Sequence, residues 1–140
     1  MRFSVEDVQP ASIDIVWPLV LPMVERGIRH GEGDTLTAGM IRHAIIDGEM
    51  SAWAVREIAS GEILAVLVFR IRLCVNGRSV FVVMLAGERM VEWVDEVETM
   101  LRDYAVIVGA RNVRANCRMG LSHILARRGW KRKSVIMEAP

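Results

Sequence analysis

Apolar and polar residues alternate with a period of two in the middle of the chain, which is typical of a β-strand with two different faces. The alternation is clearest in the second half of residues 63–75, where the apolar positions are Phe69, Ile71, Leu73 and Val75. Asn76-Gly77 follows, and both residues tolerate the positive φ angles of a two-residue hairpin turn. The pattern therefore predicts a hairpin whose return strand covers residues 78–85, with Val75 opposite Arg78 and Phe69 opposite Met84.

Apolar residues at steps of three and four predict helices before and after this hairpin. The longest is expected over residues 90–108, with one buried face made of Met90, Val94, Val97, Leu101, Ala105 and Val108. A first helix is expected over residues 12–29, with Ser12 as its N-cap and a stripe made of Ile15, Leu19, Met23 and Ile28. Pro18 and Pro22 would break this helix or delay its start.

The remaining pattern completes a mixed α/β fold. A short second helix is expected over residues 36–46, capped by Asp34 or Thr35 and closed by Gly48. Strands are expected over residues 51–57, 112–117 and 131–138, and a helix over residues 120–127. The predicted order is α-α-β-β-β-α-β-α-β, a mixed and mostly antiparallel sheet flanked by helices. A length of 140 residues suits one domain, residues 1–140.

Charge is distributed unevenly although the net charge is only +1. Residues 1–110 hold ten Lys/Arg and sixteen Asp/Glu, a balance of −6, whereas residues 111–140 hold eight against one, a balance of +7. The basic segment 111–133 could be a solvated face, an anion site, or a patch that meets the acidic part, residues 1–110, of another copy or a protein partner.

Segments that would direct the chain to a membrane or bind a metal are not expected. Acids occupy the first residues, where a signal peptide would be apolar, and the apolar run from Ile63 ends at Arg70, so we expect a cytoplasmic protein. Cys74 and Cys117 lack the spacing of zinc ligands, and we expect buried free thiols and no metal.

The order of elements resembles the GNAT superfamily of N-acetyltransferases. The best local match follows the last predicted helix, Leu125-Ala126-Arg127-Arg128-Gly129-Trp130, in which Gly129 would let the chain reverse and Trp130 would fill the seam between helix and sheet. The resemblance implies a single GNAT-like domain.

A narrower resemblance is to the small GNAT-like proteins that tailed phages encode. The residues that carry it are Gly48, Glu49, Trp53, Ala86, Gly87 and Trp93, together with Arg118-Met119-Gly120. It implies a virion-associated protein near the portal or tail, found in the host cytoplasm or in the virion.

GNAT proteins hold acetyl-coenzyme A at the turn between a strand and the long helix, where glycines let backbone N–H groups approach the pyrophosphate. The turn here offers Gly87, Glu88, Arg89 and Met90, so one glycine remains and a carboxylate stands where a diphosphate would lie. If acetyl-coenzyme A binds, Arg118, Arg127 and Arg128 are further candidates for phosphate contacts.

The acid and base that the GNAT resemblance implies are not evident. Leu125 occupies the place of the usual Tyr acid, and Tyr104 falls on an apolar helix face. His123 is a candidate because histidine is the side chain whose ordinary pKa lies closest to neutral pH, and Glu49 and Glu88 remain as candidate bases by default.

Two functions stay open. The degenerate turn favours a non-catalytic binding or structural protein that assembles with other proteins or with itself. The alternative is an acetyl-CoA-dependent N-acyltransferase.

Arg70 and Arg72 could form a basic stripe on one strand face. Nucleic-acid binding has little support, because only Trp130 supplies an aromatic ring within the basic segment.

Overall fold

The computed structural model describes residues 2–30, 36–135 and 137–140, which form a mixed sheet with helices packed on it. The elements in chain order are β1 (Phe3–Asp7), a 3-10 turn (Pro10–Ser12), α1 (Ile13–His30), α2 (Ala38–Ile46), β2 (Ser51–Glu57), β3 (Ile63–Cys74), β4 (Gly77–Gly87), α3 (Met90–Ile107), β5 (Ala110–Ala115) and α4 (Met119–Arg127). The strands lie in the order β1-β2-β3-β4-β5, antiparallel except for the parallel pair β4–β5. The predicted fold class is confirmed.

Two apolar cores lie on opposite faces of the sheet. Side chains of α1 and α2, such as Val24 and Ile41, pack with Val66 and Val68 of β3. Those of α3 pack with the alternate residues of β3 and β4, and Trp93 is completely buried there. Because the first half of β3 is covered on both faces, its sequence is continuously apolar and does not alternate.

Helix α1 runs without interruption through Pro18 and Pro22, so the predicted break does not occur. The apolar stripe predicted for it is wrong, because Ile15 and Leu19 are 76% and 57% exposed. The buried residues are Ile13, Trp17, Val20 and Val24. This helix carries apolar residues on most of its circumference, so its spacing alone does not define the face that meets the sheet.

Helix α2 begins at Thr37, whose hydroxyl accepts a hydrogen bond from the backbone N–H of Met40 at 3.1 Å. The caps predicted for it, Asp34 and Thr35, lie outside the described residues. The turn after α2 contains Gly48 at a φ of 77°, the conformation that glycine was predicted to supply.

The hairpin forms with a register that differs from the predicted one. Cys74 pairs with Gly77, so the turn residues are Val75 and Asn76. Phe69 lies opposite Val82, not Met84, and a bulge follows Val68. The earlier turn accounts for the error at Phe69, because the register is continuous from Cys74 to Phe69, and the bulge changes the pairing only from Val68 onward.

The two ends of the chain also differ from prediction. Phe3–Asp7 forms an edge strand against β2 that the sequence pattern did not indicate. The strand predicted over residues 131–138 is absent from its described part, residues 131–135 and 137–138, where no ladder forms. A strand is stabilised by pairing, and this segment is exposed and begins with three consecutive cations, Lys131, Arg132 and Lys133.

Candidate functional site

The connection between β4 and α3 is shaped by close contact with β3. Gly87 has a φ of 154°, and a Cβ on it would lie 2.3 Å from the carbonyl oxygen of Leu64 and 2.4 Å from the Cβ of Ala65. No larger residue fits without moving β3. The glycine is therefore required by strand packing, whether or not a ligand approaches it.

Arg89 begins α3 in the left-handed conformation, with a φ of 59°. Its guanidinium donates to Glu92 at 2.6 Å and to Glu57, at the end of β2, at 2.8 Å. Arg2 reaches the same Glu92 carboxylate at 2.9 Å. We call Arg2, Glu57, Arg89 and Glu92 the α3 N-terminal network.

Proximity of opposite charges shifts the ionisation of this network. The hydrogen bond from Arg89 is the largest cause that lowers the pKa of Glu92, to about 2. The same guanidinium, followed by the hydroxyl of Ser60, lowers the pKa of Glu57. Hydrogen bonds from Glu92 and then Glu57 raise the pKa of Arg89 above its usual value. All these groups are charged at neutral pH.

The side chain of Glu88 is exposed, and its backbone N–H and carbonyl oxygen both form hydrogen bonds. Its N–H donates to the carbonyl of Leu64 at 2.9 Å, and its carbonyl accepts from the indole N–H of Trp93 at 2.7 Å. Its carboxylate lies 3.8 Å from Arg26 of α1. Met90, the fourth residue predicted for this turn, is the first residue of α3 and is half-buried.

The other candidate acids and bases are dispersed. Glu49 lies in the turn between α2 and β2, near the place where Ser51 of β2 pairs with Phe69 of β3. Glu88 follows Gly87, the last residue of β4, which pairs with Ala65 farther back along β3. The structure therefore does not bring these two carboxylates together. His123 is exposed on α4.

Of the two residues compared with the usual Tyr acid, Leu125 is buried and Tyr104 packs against aromatic rings. Leu125 is buried on the inner side of α4. Tyr104 packs edge-on against Phe69 and Trp53, with ring centroids 5.2 and 5.8 Å away. Core packing was the expected role of Tyr104, and its ring occupies that position.

Arg128 is occupied by contacts within the chain. It donates to Glu98 and to Asp95, both on α3. Burial alone would raise the pKa of Glu98, but hydrogen bonds from Arg128 and Arg102 outweigh burial, and the pKa is lowered. The basic and acidic parts of the sequence thus meet at the α3–α4 contact inside one molecule.

The other two candidate phosphate ligands are exposed. Arg118 is the N-cap residue of α4, and Arg127 lies at its last turn. They flank α4 at opposite ends, so the structure does not group them with Arg128 as one cluster.

The parallel pairing of β4 and β5 ends at Val82, because β5 itself ends at Ala115. Their ladder ends at Val82 and Ala115, and one more hydrogen bond joins the N–H of Asn116 to the carbonyl of Val82. Beyond that row, β4 continues for five residues toward α3 with β3 as its strand partner. Ligands of α/β proteins commonly bind where the carboxyl ends of parallel strands diverge.

Sequence reasoning missed Glu57 and Arg2 as members of this site. They are 32 and 87 residues from Arg89, and the sheet brings them together because β1 pairs with β2. The contact between Arg89 and Glu92 could have been predicted from the sequence, because residues three positions apart on a helix lie on the same face.

Three other expectations concern thiols, metals and membranes. Cys74 is exposed and Cys117 half-buried, so the expectation of two buried thiols is wrong. Among the described residues, no three His, Cys, Asp or Glu side chains group closely enough to hold a metal ion. No helix in the same part of the chain has the length and apolarity needed to cross a bilayer.

Comparisons with known proteins identify solved structures that share this fold. No protein-family model and no curated protein matches the sequence. An aminoglycoside acetyltransferase from an uncultured soil metagenomic sample matches with a TM-score of 0.72 and 15% identity, over 100% of this chain and 99% of that one. A ribosomal-protein-alanine N-acetyltransferase from Brucella melitensis biovar Abortus 2308 matches with a TM-score of 0.70 and 13% identity, over 99% and 98%.

A third solved structure, the glucosamine-6-phosphate N-acetyltransferase of Arabidopsis thaliana, gives a TM-score of 0.63 and 15% identity, over 100% and 99%. Such low identities establish the fold and no activity. The chain therefore has the GNAT fold, as its order of elements predicted. These neighbours provide no link to phage proteins.

Proposed function

We propose that this GNAT-fold chain is a non-catalytic binding or structural protein with a degenerate acetyl-coenzyme A site. The observation that carries the proposal is the position of Arg89. It is the one cation in residues 86–91, and its guanidinium is held by Glu57 and Glu92. A phosphate at the start of α3 would compete with two carboxylates for it.

The charges around the start of α3 cancel. Glu57, Glu88 and Glu92 face Arg2, Arg26 and Arg89, three negative charges against three positive ones. Two like charges at 4 Å repel by up to about 4 kcal/mol near a protein surface, and solvent reduces this figure for the exposed Glu88. A diphosphate would find little net attraction there, so these residues fit coenzyme A poorly.

The residues compared with the family's acid and base support the same proposal. A thiolate leaving group needs a proton donor, and Leu125 has none. His123 is exposed on α4, and Glu49 and Glu88 lie in two separate turns, before β2 and after β4. No described pair of these groups forms an acid–base pair.

The proposal extends to the cellular location of the protein and to its protein partners. We place the protein in a cytoplasm and expect it to act by assembling with other proteins. The resemblance to phage proteins predicts virion proteins as those partners, and capsid, portal or terminase genes beside its gene would support that prediction. Sedimentation as a strict monomer, with no affinity for such proteins, would contradict it.

An acetyl-CoA-dependent N-acyltransferase is the second candidate, and the carboxyl end of the parallel pair β4–β5 favours it, because ligands of α/β proteins commonly bind at such ends. Helix α3 also begins without a side-chain cap, so the N–H groups of its first turn are not occupied by a capping side chain. Positioning of two substrates can support acyl transfer without a strong acid.

Isothermal titration calorimetry with acetyl-coenzyme A separates the two candidates. We expect no heat of binding at about 1 mM ligand, the upper end of usual KM values. Glu88→Gln should bind more tightly than the wild type if a vestigial site remains, and the matched control Glu49→Gln should not. Micromolar binding to the wild type would overturn the proposal.

A further inference from the structure

Five arginines with no acidic partner lie at the hairpin end of the sheet. They are Arg70, Arg72, Arg78, Arg111 and Arg114. Strands β3, β4 and β5 contain no Asp or Glu. None of the five forms an ion pair with a carboxylate of the described residues, whereas seven other arginines do.

The pairing of strands places three of these arginines on one face. Arg70 lies opposite Phe81, which lies opposite Arg114 on β5. Arg72 is two residues along β3, and its guanidinium lies 3.9 Å from the centre of the Phe81 ring. Directly opposed residues project to the same side of a sheet, so the three cations share a surface.

A cavity of about 190 Å³ opens beside this surface, at the start of β4 and β5. Its charged lining residues are Arg78, Arg111 and Arg114, and its neutral polar side chains are Asn76, Ser79 and Asn112. Like charges around one cavity repel each other, and a bound anion would remove that repulsion.

Two of the lining arginines are held in place by the backbone. Arg78 donates to the carbonyl of Val108 at 3.2 Å, and Arg111 donates to the carbonyl of Asn76 at 3.3 Å. A guanidinium has five N–H donors, so each keeps further donors for a ligand. Their anchoring reduces the side-chain entropy that binding would otherwise cost.

A neutral hydrogen-bonded pair adds a donor to the cavity. Ser79 is 2% exposed, and its hydroxyl donates to Oδ1 of Asn112 at 2.6 Å. Because that bond uses the amide oxygen, the NH₂ group of Asn112 can donate to a ligand.

We propose that this cavity binds the phosphate group of a small phosphorylated molecule. Three guanidinium groups and an amide supply more donors than one carboxylate accepts, and they match the several oxygens of a phosphate. The volume is below the range of about 300–1,000 Å³ of drug-sized sites, which restricts the ligand to a small one. The site lies at the opposite end of β4 from Gly87, so it does not depend on the function proposed above.

Titration calorimetry with inorganic pyrophosphate at low ionic strength tests this site. We expect saturable binding of pyrophosphate to the wild type. The double variant Arg111→Gln/Arg114→Gln should bind it more weakly, by about tenfold or more for each of the two arginines removed. The control Arg127→Gln/Arg132→Gln removes the same charge from exposed positions elsewhere and should retain wild-type affinity.

Three outcomes would overturn the assignment. The first is no binding to the wild type. The second is an equal loss in both double variants, or no loss in either, which would place pyrophosphate elsewhere. The third is tighter binding of a single-stranded oligonucleotide than of pyrophosphate, with a steep dependence on salt. If Arg111→Gln impairs folding, Arg114→Gln alone serves, because the Arg114 side chain is exposed and forms no hydrogen bond with the backbone of the described residues.

Discussion

The guanidinium of Arg89 lies 2.8 Å from the carboxylate of Glu57, and this contact ties the first turn of α3 to the end of β2. Arg89 adopts a left-handed backbone, which costs energy in any residue other than glycine. The contacts with Glu57 and Glu92 offset part of that cost. The start of the long helix is therefore organised by the chain's own carboxylates.

The α3 N-terminal network predicts how stability responds to acid. The pKa of Glu92 is lowered to about 2 and that of Glu57 is also lowered, so both groups favour the folded state above their ordinary pKa near 4.5. That contribution should be lost as the pH falls from about 4.5 toward 2.

Urea unfolding between pH 7 and pH 2.5 checks this, with Arg89→Gln as the comparison. The variant should be less stable than the wild type at pH 7, and the difference should shrink as the pH falls. A difference that stays constant across this range would show that Arg89 does not lower these pKa values.

Replacing Gly87 should destabilise the fold for packing reasons alone. Gly87→Ala places a Cβ 2.3 Å from the Leu64 carbonyl oxygen and keeps a strained φ, which should cost about 2–4 kcal/mol. Gly120→Ala in α4 is the control, because nothing lies within 4 Å of its new Cβ. Its stability should equal or exceed that of the wild type by up to about 1 kcal/mol. Equal stabilities of the two variants in thermal unfolding would contradict the packing account.

Glu98 should be the acid that most stabilises the contact between α3 and α4. It is buried between Arg102 and Arg128. Glu98→Gln removes the charged partner of Arg102 and leaves Arg128 with Asp95 alone, and it should cost about 1–3 kcal/mol. Asp103→Asn, at an exposed position of the same helix, should change stability by less than about 0.5 kcal/mol. Chemical denaturation of both variants measures the difference.

The elements with a single strong periodicity were predictable from the sequence. Helix α3 was expected over residues 90–108, and its buried residues Val94, Val97, Leu101 and Ala105 lie on the predicted stripe. Strand β2 has the predicted bounds. In α3 the apolar positions fit the helical period and exclude a period of two, whereas β2 is a short run of consecutive buried residues bounded by polar ones.

The errors arose where sequence pattern leaves the choice to tertiary contacts. Apolar residues surround most of α1, so the sheet and not the spacing selects its inner face. The turn of the hairpin lies one residue earlier than Asn76-Gly77 predicts, and the bulge after Val68 changes the register farther along without a signal in residue type. β1 is short and two of its five residues are acidic, and only its pairing with β2 makes it a strand.

The site was predictable only in its local part. The shortage of glycine and the presence of Glu88 are visible in the sequence. The partners of Arg89 on β2 and at the start of the chain are not, because they are brought together by sheet order. The contact between Gly87 and β3 likewise depends on the distance between two backbones.

The two cysteines should differ in reactivity. Cys74 is exposed at the end of β3, whereas Cys117 is half-buried and burial raises its pKa, which lowers its thiolate fraction. A thiol reagent at pH 8 should label Cys74 much faster. The variant Cys74→Ser should retain only the slow phase, and Cys117→Ser only the fast phase. A single rate shared by both thiols would contradict the burial described here.

The proposed function requires that the start of α3 does not bind a diphosphate. Titration of isotope-labelled protein with acetyl-coenzyme A, observed through the backbone amides of residues 88–91 by NMR, tests it most directly. We expect these amide signals to stay unchanged up to about 1 mM ligand. Saturable shifts centred on these amides would contradict the account and favour the acyltransferase.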